Sequence, residues 1–216
     1  MISVNTNKNY AQIGKITCWI TFTIGIVYLI VTILGLFSLK SKEEPIGDPY
    51  FTLMELLTIL IAPFLVLNMI AIHYHASKKH KINTLFALCS MSIMAAITTS
   101  VHFTIIMLSH QLETPIMNDL TLFFSFKWPS VVYILDIVAW DWFFPIAFLA
   151  AAPIFNNGSK EKTIRMLMII SGILSLIGII GMPLGNMDIR NIGIIGYAVI
   201  APFVFLLIGM NFNRKV

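Results

Sequence analysis

Charged and histidine side chains punctuate this chain at long intervals, and the residues between them are almost all apolar. Counted between successive such residues, the stretches are 24 from Lys15 to Lys40, 17 from Glu55 to His73 and 20 from Lys81 to His102. Later they are 18 from Asp141 to Lys160, 22 from Arg165 to Asp188 and 23 from Arg190 to Arg214. A helix rising 1.5 Å per residue needs about 20 apolar residues to cross the hydrocarbon of a bilayer. The pattern therefore predicts an all-α polytopic transmembrane bundle of six spanning helices. They lie near Ile16 to Leu39, Leu53 to Ile72, Ile82 to Leu108, Val131 to Phe155, Met166 to Leu184 and Ile192 to Met210. A single transmembrane domain over residues 1–216 leaves no room for a soluble domain, and the short connections make sequential neighbours pack together. The first apolar run is too long for a signal-peptide core and no small-residue cleavage site follows it, so it reads as an anchor.

Composition agrees: mean hydropathy is +0.88, 58% of the 216 residues are hydrophobic and 11% are charged, which excludes a soluble domain. The net charge of +4 is explained by topology. With a cytoplasmic N-terminus, ten basic residues, among them Lys78, Lys79, Lys81 and Arg165, fall inside, against Lys40, Lys42, Lys127 and Arg190 outside. The positive-inside rule then puts both termini in the cytoplasm and the chain in the plasma (bacterial inner) membrane. The same basic residues suit anionic membrane lipids as partners, and no interleaving of basic and aromatic residues points to nucleic acid. Cys18 and Cys89 fall inside helices, so no disulfide is expected. Asn157-Gly158-Ser159 matches a glycosylation sequon on the inner side and reads instead as a turn with Ser159 capping the fifth helix.

Two stripes of small residues predict close helix contacts. Thr17, Thr21, Gly25, Tyr28, Thr32 and Gly35 share a face of the first helix, and Ser171, Ser175, Gly178, Gly181 and Gly185 share one on the fifth. Either stripe would line a polar path only beside a water-filled cavity. Pro63, Pro145 and Pro202 predict kinks in the second, fourth and sixth helices, and Pro145 would free the carbonyl of Asp141.

The candidate chemistry is a layer of ionisable groups inside apolar spans: Glu55, His102, Asp136 and Asp141. Such groups are expensive in hydrocarbon and need partners. Helical rise puts His102 and Asp136 at a common depth of about 10 Å from the outer surface. Glu55 joins them if Asp48 caps the second helix with Pro49 at its first position. Alternatively Thr52 and Glu55 form a capping box, and Glu55 is only a cap. His102 continues a stripe through Thr99, Ala95 and Ser92, while Asp136 shares its face with Val132, Ala139, Trp140 and Phe143. Asp141, five residues on, is rotated by about 140° in an α-helix, so the two aspartates should not point along one line. Trp140 and its aromatic neighbours would wall the site.

Glu55, His102, Asp136, Asp141, Thr99 and Trp140 are thus the candidates for a ligand or proton site. Proton-linked transport or binding of a small molecule or ion is the first reading. A metal site lacks the H-E-x-x-H or E-x-x-H spacing, and His102 has no mate for bis-histidine haem, so no metal or cofactor is expected. Hydrolase or transferase chemistry on a lipid or apolar substrate, with His102 as base, lacks a marked nucleophile. The structural alternative is a hydrogen-bonded network that fixes helix register without any ligand, or a contact for a partner membrane subunit. Two further features are peripheral. Ile116, Met117, Leu120, Phe123 and Phe124 would form one face of a short surface helix opened by Pro115, as an anchor or a lid over the layer. His73, His75 and His80 sit among lysines and read as a solvated basic turn.

The segments GDPYFTLMELLT, TSVHF, WPSVVYILDIVAWDWFFPIAFLAAAPIF and MDIRNIGIIGYAV resemble those of small six-helix bacterial integral membrane proteins. The resemblance implies the fold and carries no activity. A binding, transport or accessory membrane component is accordingly placed first, an intramembrane enzyme second and a structural subunit third.

Overall fold

A computed structural model describes residues 2–41, 44–108 and 120–212, with side chains from Tyr10 onward. Among the described residues there are six helices long and apolar enough to span a bilayer, with mean hydropathy of 1.7 to 2.4 in their most apolar windows. They are α1 (Ile2–Phe37), α2 (Tyr50–His75), α3 (Lys78–Leu108), α4 (Val131–Ile154), α5 (Gly158–Gly181) and α6 (Met187–Phe212).

The helix starts differ from the sequence expectation where polar residues belong to helix and not to loop. α5 begins at Gly158 because Lys160, Glu161, Lys162 and Arg165 occupy its first two turns, where charges can reach past the apolar slab without ending the helix. Ser159 does not cap it. Asn157 holds the cap position, and the Glu161 carboxylate accepts from the backbone N–H groups of Asn156 (3.1 Å) and Asn157 (2.8 Å). α6 begins at Met187, capped by the Asn186 side chain, which accepts from the N–H groups of Asp188 (3.0 Å) and Ile189 (3.2 Å). This start draws Arg190 into the helix. α2 begins at Tyr50, with Pro49 rather than Asp48 in the cap position; Asp48 instead accepts from the Thr52 hydroxyl at 2.6 Å. Thr52 and Glu55 form no capping box.

Each helix packs on its neighbour in sequence, and α6 closes back on α1, so the bundle is a ring in chain order. One end of it is marked by Tyr10 stacked on Tyr74 at 3.8 Å and His75 edge-on to Phe212 at 5.3 Å, which brings together the start of α1 and the ends of α2 and α6. At the opposite end Gly35 faces Ile46 and Tyr50. These are called the Tyr74 and Tyr50 ends. The small-residue stripes lie partly at helix contacts, but Gly185 falls in the turn after α5, and Thr21, Gly25 and Tyr28 border a cavity. Gly25 faces Pro202, and the Ser171 hydroxyl donates to the carbonyl of Gly196 at 2.8 Å. Large apolar side chains such as Ile30, Leu60, Phe86 and Ile180 are exposed on the outside, as lipid contact requires.

Two features position the polar layer. The main core, with Met69, Met91, Phe148, Met168 and Ile208 fully buried, fills the half toward Tyr74, and a smaller cluster of Val101, Ile105 and Val132 lies toward Tyr50. The layer sits where the two meet. Second, α4 widens into a π-helical turn at Val138–Phe143 just before Pro145, and α6 does so at Ile195–Ile200 just before Pro202. A π turn bonds each N–H five residues back and so inserts one extra residue ahead of the proline, which has no N–H to donate. Of the proposed surface helix, Pro115, Ile116 and Met117 lie outside the described residues; what is described is one turn, Thr121–Phe124, with Leu122 and Phe123 exposed.

Candidate functional site

Four helices contribute to a chain of alternating charges. His102 on α3 contacts Glu55 Oε2 on α2 through Nδ1 at 2.6 Å, and Asp136 Oδ1 on α4 through Nε2 at 3.1 Å. Arg190 on α6 follows, with Nη2 at 3.8 Å from Asp136 Oδ2 and 3.9 Å from Asp141 Oδ2. All five residues are buried, at 0 to 5% exposure, so these charges interact with little water between them. An imidazole between two carboxylates donates to both only when both its nitrogens carry protons. With all three carboxylates ionised, three negative charges would face two positive ones, an excess that a proton on one buried carboxylate removes.

The π turn in α4 corrects the expectation about the aspartates. Five α-helical residues would turn Asp141 well away from Asp136. The wide turn inserts an extra residue, and both carboxylates reach the same Arg190 nitrogen. Asp141 occupies a slot between α5 and α6 that exists only because Gly178 and Gly193 line it: a Cβ at either position would collide with Asp141 Oδ1. Both Asp141 oxygens nevertheless lack a hydrogen-bond partner among the described residues, as does Arg190 Nε. The two Arg190 ion pairs are too long for direct hydrogen bonds. The guanidinium instead lies over the Tyr133 ring at 5.4 Å.

A cavity of about 230 Å³ opens beside this chain. Glu55, His102, Asp136, Arg190 and Asn191 line its polar end, with Tyr133 beside Arg190; Tyr28, Trp140 and Tyr197 flank the middle; Ile24, Ile61, Leu65, Phe144, Pro202 and Phe205 form its apolar end. Phe126 lies against His102 at 5.5 Å between ring centroids and also borders the cavity. Toward Tyr74 the lining ends at Thr21, whose hydroxyl accepts from Asn68 Nδ2 at 2.8 Å; Asn68 Oδ1 is buried without a partner among the described residues. Beyond it the main core closes the bundle.

The structure thus brings Glu55, His102 and Asp136 into contact, joins Asp141 to them through Arg190, and sets Trp140 on the cavity wall. Thr99 is not brought in: it is half-buried and does not line the cavity, while Thr98 is the buried threonine, bonded to Met94 Sδ at 3.4 Å. Ser92 likewise faces outward. Of the expected stripe His102 and Ala95 are buried, while Thr99 and Ser92 fall to its side, because hydroxyl spacing alone cannot choose between adjacent faces of a helix. Arg190, assigned by the charge count to an outer loop, is instead buried in the site. The signal for it is the acid surplus itself, since buried carboxylates require a cation and Arg190 begins an apolar run.

At the Tyr74 end His73 Nδ1 contacts the Thr84 hydroxyl at 2.9 Å and its carbonyl accepts from Lys81 Nζ, while His75 packs on Phe212 and lines a separate cleft together with His80 and Glu161. Among the described residues no three His, Cys, Asp or Glu side chains are grouped to hold a metal ion. No family model, curated protein or solved structure matches this chain.

Proposed function

We propose that this multi-pass membrane protein binds a small amphipathic molecule in the cavity beside the Glu55–His102–Asp136–Arg190 chain, as a binding or transport component of a bacterial inner membrane. The observation that carries the reading is the incompleteness of the polar layer. A network serving only to fix helix register would have its buried groups mutually satisfied, whereas here Arg190, which lines the cavity, meets Asp136 and Asp141 only at 3.8 and 3.9 Å, and Asp141, behind it and outside the lining, keeps both oxygens without a partner among the described residues. A group entering the cavity beside Arg190 would complete its polar end.

Both ring nitrogens of His102 are engaged by carboxylates, leaving neither on a hydroxyl nucleophile, which favours a proton-holding role over base catalysis. The cavity is polar toward Tyr50 and closed by the core toward Tyr74, as expected of a site reached from one side. Lys78, Lys79, Lys81, Lys160, Lys162 and Arg165 belong to the Tyr74 end, and burial of Arg190 removes one basic residue from the other end. We therefore assign the Tyr74 end to the cytoplasm and the polar layer to the outer half of the bilayer.

The test uses two single-tryptophan proteins, one keeping Trp140 and one keeping Trp142. Trp140 lines the cavity at 7% exposure, and Trp142 is 49% exposed on the outside of the bundle. In nanodiscs, para-bromophenethyl alcohol should quench Trp140 along a saturating curve and Trp142 only in proportion to the alcohol dissolved in lipid. Proportional quenching of both, by the alcohol and by charged analogues of it alike, would sink the reading.

A further inference from the structure

We propose that the ligand is a zwitterion on an apolar tail, its ammonium held by Glu55 and Asp136 and its anionic oxygens by Arg190. The proposal rests on the reading of the cavity as a ligand site and names the chemistry that site selects.

The polar end of the cavity has two unmet needs of opposite sign. Glu55 lines the cavity and engages His102 through Oε2 alone, which leaves its other oxygen as an acceptor there. That calls for a cation. Arg190 is 4% exposed, borders the cavity and makes no direct hydrogen bond to the other described residues, although a guanidinium carries five donors in a fixed fork. That calls for acceptor oxygens, which a carboxylate or phosphate supplies as a bidentate pair. An anion alone would leave the free Glu55 oxygen without a donor. A cation alone would leave the Arg190 donors bare, and a neutral alcohol would answer only one need. A head group carrying both charges meets each group locally.

The rest of the lining agrees with such a head and a greasy tail. Tyr28, Trp140 and Tyr197 surround the middle of the cavity, and aromatic faces attract an ammonium group. Below them Ile24, Ile61, Leu65 and Phe205 offer an apolar sleeve. Two sources share this chemistry: a free amino acid with an apolar side chain, and the ammonium-phosphate head group of a phosphatidylethanolamine lipid.

Four probes with one tail separate the possibilities in the protein that keeps only Trp140, held in phosphatidylglycerol nanodiscs. They are para-bromophenylalanine, para-bromophenethylammonium, para-bromophenylpropanoate and para-bromophenethyl alcohol, each read by quenching. The expected result is that the zwitterionic amino acid binds at least about tenfold tighter than each of the other three, the gain of a charge-assisted contact at either end. If the ammonium or the carboxylate probe equals it, the zwitterion is refuted while saturable quenching by the alcohol keeps the cavity reading. If none of the four probes saturates, it is the cavity reading that falls. In Glu55→Gln the amino acid should drop to the level of the carboxylate probe; the four-probe comparison in the parent protein stands whether or not that variant folds. Adding phosphatidylethanolamine to the nanodiscs assigns the source. Weakened binding of the amino acid marks a lipid competitor and unchanged binding marks a free solute, and both results support the zwitterion.

Discussion

Replacing His102 with Ala removes the centre of the charge chain and leaves Glu55 and Asp136 buried with no donor between them. The two hydrogen bonds that disappear are 2.6 and 3.1 Å long, and both carboxylates are at most 5% exposed. Hydrogen bonds to charged groups contribute about 1.5–3 kcal/mol each, so two give about 3–6 kcal/mol. An independent figure, for breaking a buried ion pair by deleting one partner, is about 3–5 kcal/mol. The expected loss is therefore about 4 kcal/mol, close to a thousandfold in the folded-to-unfolded ratio. Denaturant unfolding in mild detergent micelles, followed by circular dichroism, measures it, with His75→Ala as the comparison. His75 packs on Phe212 at the Tyr74 end, outside the polar layer, and its loss should cost under about 1 kcal/mol. A second arm isolates the cause. Once Glu55→Gln has removed the carboxylate, deleting His102 should cost about 1.5–3 kcal/mol less than it does in the parent protein, the coupling of one charged hydrogen bond. Equal losses for His102→Ala and His75→Ala, or strict additivity with Glu55→Gln, would refute the argument that the layer acts as one coupled unit.

Other expectations follow from the same geometry. Gly193→Ala places a methyl group against Asp141 Oδ1 and should destabilise by about 1–3 kcal/mol in the same unfolding assay, with the loss reduced when Asp141 is also shortened. Arg190→Gln strips the cation from both aspartates and should cost about 3–5 kcal/mol, partly restored by Asp141→Asn; an absence of restoration would disconnect the pair. Thr21→Val removes the acceptor for Asn68 and should cost about 1–3 kcal/mol, whereas Thr23→Val, on the exposed side of the same helix, should be nearly neutral. Epitope tags on either terminus should be reached by antibody only after the inner membrane is permeabilised, and an N- and C-terminus on opposite sides would overturn the orientation proposed for the bundle.

By itself, the order of residues determined the six spans, because a bilayer imposes one length on every helix and charged residues mark where each apolar run stops. It also determined the common depth of His102 and Asp136, since rise per residue is a property of any helix, whereas Glu55 could be a cap or a member of the layer until the contact with His102 decided it. Which way each side chain faces was another matter. The π turns at Val138–Phe143 and Ile195–Ile200 change the angular count along α4 and α6, so Asp141 lies beside Asp136 against the α-helical expectation, and nothing in local propensity announces such a turn. Arg190 likewise is a buried partner only because Asn186 caps α6 one turn before it, and Gly178 and Gly193 let α5 and α6 close around Asp141. Helical rise fixes how deep a group sits; only the packing of helices against one another decides what it meets there.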